Sequence, residues 1–216
     1  MNYRLINLEN WERKEVFNHY TKSVPCTYSL TVDLDISVLS GHKLYPAMLW
    51  SLSAVVNEME EFRTAVMPDG VGIFDFMHPS YTVLNPETKR FCSIWSPFQW
   101  DKKEFMKHCQ DDITHFKKAE AFLPCPNMPL NVFNVSMIPW VRYTAFHLDI
   151  RSCGGEYLLP IFTIGKFSEK DGRRMLPLAL QVHHAVCDGY HVGVFVEKLQ
   201  KKISSFSTIV QHAERS

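Results

Sequence analysis

Two adjacent histidines followed by an aspartate and a glycine, His183-His184-Ala185-Val186-Cys187-Asp188-Gly189, are the residues of this chain best suited to moving protons. An imidazole near neutral pKa can take a proton from a weak nucleophile and return it to a leaving group at physiological pH. Neighbours on a strand point to opposite faces, so His183 and His184 cannot both bind one metal ion. That leaves one functional histidine. The phase of Leu178, Leu180 and Val182 carries His184 to the buried side, where a strand gives way to a loop. Asp188 stands where it can cap the next helix and complement its dipole. Gly189 leaves room for a tight turn. On spacing alone, a buried histidine is more commonly a hydrogen-bonded core residue, and Asp188 more commonly a cap.

The elements that must position this turn are legible on both sides. A strand over about Met175–His184 leads in, and a helix from near Gly189 leads out with Val192, Phe195, Leu199 and Ile203 inward. Upstream, Asn10 is placed to cap a first helix running to about Tyr20. Ser29–Ile36 alternates as a half-buried strand, with Leu30, Val32, Leu34 and Ile36 on one face. A helix is predicted over Tyr45–Phe62, with Pro46 in its first turn and a stripe of Leu49, Leu52, Val56 and Met59. Short strands are predicted near Val71–Phe74, Ser80–Leu84 and Arg90–Trp95. Asp101 and Glu104 resemble a capping box opening a third helix along Met106, Cys109, Ile113 and Phe116. Phe122–Pro129 reads as a loop. Strands follow near Asn131–Ser136, Tyr143–Ile150 and Leu158–Phe167. The pattern is α/β, with a mixed sheet and helices packed against it, in a single domain spanning residues 1–216.

Bulk properties exclude several classes. Lys+Arg and Asp+Glu are equal at 23 each, so nothing global attracts nucleic acid or an anionic membrane. No apolar run reaches membrane-spanning length. Cys26, Cys92, Cys109, Cys125, Cys153 and Cys187 form no C-x-x-C pair, and no metal is expected. The first residues lack the apolar core and cleavage site of a signal peptide, which points to the cytoplasm and reduced thiols.

The segment Gln181–Val192 resembles the signature of the chloramphenicol acetyltransferases, within the H-H-x-x-x-D-G acyltransferase superfamily. Asn10-Trp11-Glu12-Arg13-Lys14, Val24-Pro25-Cys26, Leu44-Tyr45-Pro46, Asn134-Val135-Ser136, Ile138-Pro139-Trp140 and Pro160-Ile161-Phe162-Thr163 extend the resemblance in order along nearly the whole chain. It implies the CoA-dependent acyltransferase fold, a two-layer sandwich of a mixed, mostly antiparallel sheet with helices on one face. It also implies acetyl transfer from acetyl-CoA to the 3-hydroxyl of chloramphenicol, inactivating the antibiotic. No permanently bound cofactor is implied, and the family assembly is a homotrimer with its sites between subunits.

By resemblance, His184 is the general base and Ser136 donates to the oxyanion. Thr163 helps hold a water near the intermediate, and Asp188 pairs with Arg13 to order the turn. Tyr20, Cys26, Phe91, Phe146, Leu148 and Tyr157 match the acceptor pocket. Tyr45, Pro139, Trp140 and Lys166 match the CoA site. Phe167 and Leu123 depart from the family pattern, and the aromatic stretch Trp95–Trp100 has no assigned role. A different alcohol or amine acceptor would keep the same chemistry. A hydrolase would need a nucleophile, but Ser136 lacks the G-x-S-x-G elbow and Cys187 lies inside the turn.

Overall fold

In the computed structural model, residues 2–148 and 156–206 are described. Two sheets organise them. Strands β1 (Tyr3–Leu5), β3 (Thr64–Met67) and β4 (Gly70–Phe74) form a small antiparallel sheet in the order β1-β4-β3. The main sheet runs β2 (Thr27–Asp35), β10 (Arg173–His183), β8 (Ile161–Ile164), β7 (Val132–Met137), β5 (His78–Leu84), β6 (Phe91–Trp95), with β9 (Ser168–Lys170) also pairing β10. Only the β5–β7 and β7–β8 pairings are parallel, so the sheet is mixed and mostly antiparallel.

The helices are α1 (Lys14–Asn18), α2 (Leu44–Val56), α3 (Lys102–Phe116) and α4 (Gly189–Ser204). The predicted stripe of α4 is buried in full, and Phe195 stacks between Phe62 and Phe162 of β8, at 4.3 and 5.3 Å between ring centroids. Asp101 caps α3 by accepting from the N–H groups of Lys103 and Glu104 at 2.9 and 3.0 Å, the N-cap half of the predicted capping box. The stretch Trp95–Trp100 acquires a packing role. Phe98 is buried against Phe76 and Phe105, its N–H donates to His78 Nδ1 at 3.0 Å, and the Ser96 hydroxyl bonds Tyr81 and Asp112. These contacts tie β6 to α3.

Five predicted elements differ. Asn10 caps nothing: Asn7–Asn10 and Trp11–Lys14 are turns, α1 starts at Lys14, and it continues as a π-helical turn over His19–Ser23. Helix α2 stops at Val56, not Phe62, because the Asn57 side chain bridges to the backbone of Met77. It is also buried all round from Pro46 to Val56, where a single stripe is predicted. Along the predicted Ser29–Ile36 strand, which β2 covers as far as Asp35, Leu34 and Ile36 are buried but Leu30 is 45% exposed, so the alternation is covered at one end only.

The strand predicted over Tyr143–Ile150 is the fourth. Its last two residues lie outside the described residues, and residues 143–148 form no ladder. Strand β10, over which the segment lies, is already paired on both edges by β2 and β8, so it offers the segment no edge. The segment lies instead across the sheet face. The Tyr143 hydroxyl donates to Thr163 O, and the Leu148 N–H donates to Gln181 Oε1 at 2.9 Å. Gly165 permits this packing: a Cβ there would stand 2.7 Å from the Tyr143 ring and 2.8 Å from Pro177. The run predicted as Leu158–Phe167 is shorter, since β8 covers only Ile161–Ile164; the chain goes on to β9, which turns through Asp171 and Gly172, both at positive φ, into β10. Strands β1, β3 and β9 have no counterpart in the sequence reading.

Candidate active site

The strongest site grows from the end of β10. The His184 N–H donates to Cys26 O at 2.9 Å and extends the β2–β10 ladder by one rung. The chain then turns, with the N–H groups of Val186 and Cys187 donating to His183 O at 3.2 and 3.0 Å. Asp188 opens α4. Its N–H donates to His191 Nδ1 at 3.2 Å, the reciprocal half of a capping box.

Arg13 reaches this turn from the start of α1. Its Nη1 donates to Asp188 Oδ2 at 2.8 Å, and its Nη2 and Nε donate to the carbonyls of His184 and Ala185, each at 3.4 Å. The guanidinium fork therefore grips the backbone as well as the carboxylate. His191 packs beside the pair, with Nδ1 2.7 Å from Asp188 Oδ1 and Nε2 3.5 Å from Glu61 Oε1. Neither His191 nor Glu61 is singled out in the sequence; the i, i+3 spacing of Asp188 and His191 is the one signal that could have found the first.

Burial alone would raise the Asp188 carboxyl, but the Arg13 hydrogen bond and attraction to His191 and Arg13 outweigh it and hold its pKa below 3.8. A carboxylate depressed in the folded state stabilises the fold above its unfolded pKa, and that contribution is lost as pH falls through the folded value. Asp188→Asn is accordingly expected to flatten the acid limb of stability below about pH 4 and to slow turnover at neutral pH by loosening the turn. Thermal melts across the acid range check the first; superimposable wild-type and variant melts there would contradict it.

His184 is half-buried, whereas His183 is 1% exposed, so the more enclosed histidine is not the one that strand phase selects. The strand ends at His183, and the turn begins with His184. Tyr20 stacks on the His184 ring at 4.2 Å and 5°, and Tyr28 leans on it at 5.1 Å. Tyr28 is missed in the sequence, where the predicted strand begins one residue later, at Ser29. Among the described residues, His184 Nδ1 is buried and has no hydrogen-bond partner. Of the residues expected at the acceptor, Tyr20 and Cys26 lie here.

The others lie elsewhere. Ser136 and Thr163 are register partners on β7 and β8, with their hydroxyls 3.3 Å apart. Ser136 lines a cavity of about 820 Å³ together with Tyr45, Phe91, Pro139 and Trp140. Phe91 thus sits with residues expected at CoA. Phe146 and Leu148 share a small cleft with Thr163 on the adjoining sheet face. Tyr157 accepts from Asn134 Nδ2 at 2.7 Å, and burial pushes its phenol up to about 12. Lys166 is exposed, with its N–H on Val141 O. Leu123 is 57% exposed, and the Arg174 guanidinium covers Phe167 at 4.2 Å.

Sheet register measures the gap between the two groups. Ser136 pairs Thr163, which pairs Ala179 of β10, five residues before His184. Two strand spacings and five residues along a strand amount to about 19 Å. One chain therefore does not bring His184 and Ser136 to a common atom. Among the described residues, no cluster of His, Cys, Asp and Glu could hold a metal ion, and no helix is long and apolar enough to cross a membrane.

Comparison with known proteins gives consistent matches. The family described as chloramphenicol acetyltransferase matches residues 1–200. A chloramphenicol acetyltransferase of Campylobacter coli is 49% identical over 203 residues, covering 93% of this chain and 98% of that protein. One of Vibrio anguillarum is 46% identical over 208 residues, covering 95% and 96%. A solved chloramphenicol acetyltransferase structure superposes with a TM-score of 0.82 at 23% identity, covering 94% of this chain and all of that one. The dihydrolipoamide acetyltransferase of Azotobacter vinelandii shares the fold at a TM-score of 0.67 and 18% identity, covering 85% and 84%.

Proposed function

The chain belongs to the chloramphenicol acetyltransferase family and transfers an acetyl group to chloramphenicol, and from that premise we propose that His184 is the general base of a direct transfer from acetyl-CoA. The observation that carries this reading is the turn itself. Arg13, Asp188 and the Tyr20 stack hold one half-buried imidazole at the end of a strand. His184 removes the proton of the drug's 3-hydroxyl as that oxygen attacks the thioester carbonyl. With Nδ1 enclosed, Nε2 is the nitrogen that exchanges the proton. The tetrahedral intermediate places negative charge on the former carbonyl oxygen, and the Ser136 hydroxyl donates to it. Thr163 keeps the Ser136 hydroxyl in place and helps hold a water beside the intermediate. Collapse breaks the carbon–sulfur bond, and His184 returns its proton to the departing thiolate. No acyl-enzyme forms, and positioning in a ternary complex supplies much of the rate.

The distance of about 19 Å between base and oxyanion donor within one chain supports a site built from two copies, with His184 from one and Ser136 from its neighbour. A homotrimer closes such a head-to-tail interface with three equivalent sites. The cavity beside Ser136 takes the CoA arm along Tyr45, Pro139 and Trp140, and Lys166 meets a phosphate. Tyr20, Cys26, Phe91, Phe146, Leu148 and Tyr157 enclose the apolar drug once two copies meet. The whole chain, 1–216, acts as one domain in the cytoplasm.

Purified protein mixed with acetyl-CoA and chloramphenicol is expected to release one thiol per drug acetylated. Chloramphenicol recovered without an acetyl group at the 3-hydroxyl, or no thiol release, would refute this reading.

A further inference from the structure

The mechanism above leaves the first histidine of the pair without a task, yet it is the more completely engaged of the two. His183 is 1% exposed. Its Nδ1 lies 3.2 Å from the Ala185 N–H, and its Nε2 lies 3.0 Å from Glu156 Oε2. A backbone N–H only donates, so Nδ1 must accept; an ionised carboxylate only accepts, so Nε2 must carry the hydrogen. Both partners select the same neutral tautomer. Burial, which holds the His183 pKa below its ordinary value despite Glu156, acts in the same direction. With one nitrogen occupied by Ala185 and the other already protonated, His183 has no site left at which to act as a base.

The bond to Ala185 has a specific consequence. The peptide group joining His184 to Ala185 has two polar ends. Its carbonyl accepts from Arg13 Nη2 at 3.4 Å, and its N–H donates to His183 Nδ1. Both ends of the peptide that leaves His184 are therefore held by side chains. The backbone torsion that aims the His184 ring is set between them.

We propose that His183 is a positioning residue for His184, acting through the Ala185 N–H, with Glu156 selecting the tautomer that makes this possible. The proposal rests on the reading of His184 as the base. It explains why two histidines stand side by side: one transfers the proton and the other fixes the peptide that aims it.

Two amides separate the two nitrogens of His183. An Asn side chain can put an oxygen where Nδ1 stands, whereas a Gln amide reaches toward Nε2 and leaves Ala185 without an acceptor. H183Q is expected to lower kcat about tenfold, with both KM values within about twofold. H183N is expected to stay within about threefold of wild type. Both should keep the wild-type pH dependence of kcat/KM, because the titrating base is untouched. Equal losses in the two variants, an unaffected H183Q, or a changed pH limb would overturn the proposal.

If H183Q does not assemble, imidazole nitrogen NMR of the unaltered protein decides. His183 should remain the neutral Nε2–H tautomer from about pH 5.5 to 8.5, a range bracketing the ordinary histidine pKa. Titration within that range overturns the proposal. His184→Ala, assayed in parallel, keeps the two readings apart. Activity in that variant would remove the base assignment. An inactive His184→Ala beside equally impaired H183N and H183Q would remove only the positioning role.

Discussion

His184→Ala is expected to lower kcat for acetyl transfer about 10²- to 10⁴-fold, the usual contribution of a positioned general base. An alcohol is a poor nucleophile at neutral pH, so without the imidazole its proton has no acceptor as the carbon–oxygen bond forms. The effect should fall on kcat much more than on KM, because the base matters most in the transition state. The fold should persist. The ring is half-buried, the bond from the His184 N–H to Cys26 O is a backbone bond that alanine keeps, and the Arg13–Asp188 pair does not involve the imidazole. Steady-state thiol release and a melting curve measured on one preparation test both halves. A variant that melts like wild type and still turns over within about tenfold of it would remove His184 from the chemistry.

Ser136→Ala should cost about 3–4 kcal/mol of transition-state stabilisation, roughly 10²- to 10³-fold in kcat. Its more informative use is in combination. Each single variant lacks one half of every site, His184 in one and Ser136 in the other. If a site draws these residues from two copies, random co-assembly of the two variants leaves about a quarter of the sites with both residues intact, since each half is wild type in about half the chains. Co-expression should then restore about a quarter of wild-type activity from two nearly inactive parents. If both residues acted within one chain, every site would still lack one of them and no activity would return. The separation of about 19 Å by sheet register is the reason to expect recovery.

The readings that held share a local cause. Strand β10, the turn at Asp188–Gly189 and the inward stripe of α4 lie within one stretch of chain, where period and cap chemistry suffice. The Asp101 cap succeeded for the same reason, since its acceptor oxygen and both N–H donors lie within three residues. The misread helix ends have non-local causes. Asn57 ends α2 by bonding Met77 just ahead of β5, twenty residues on, and at the start of α1 Arg13 is committed to Asp188, 175 residues away. Residues 143–148 alternate like a strand, but β10, against which they lie, is already paired on both sides, a fact about the sheet and not about the segment.

By itself the sequence determined the motif, the order of the elements around it and, by resemblance, the family. The tertiary structure decided three other things. It decided which histidine is sealed: His183, bonded at both nitrogens, while His184 keeps a half-open position under Tyr20. It decided that Arg13 grips two carbonyls as well as Asp188. And it set His184 and Ser136 at opposite ends of a register that no periodicity encodes. The physical reason is range. Hydrophobic period and capping act over a few residues, but strand register, edge occupancy and a guanidinium reaching across the fold are settled only when distant segments meet.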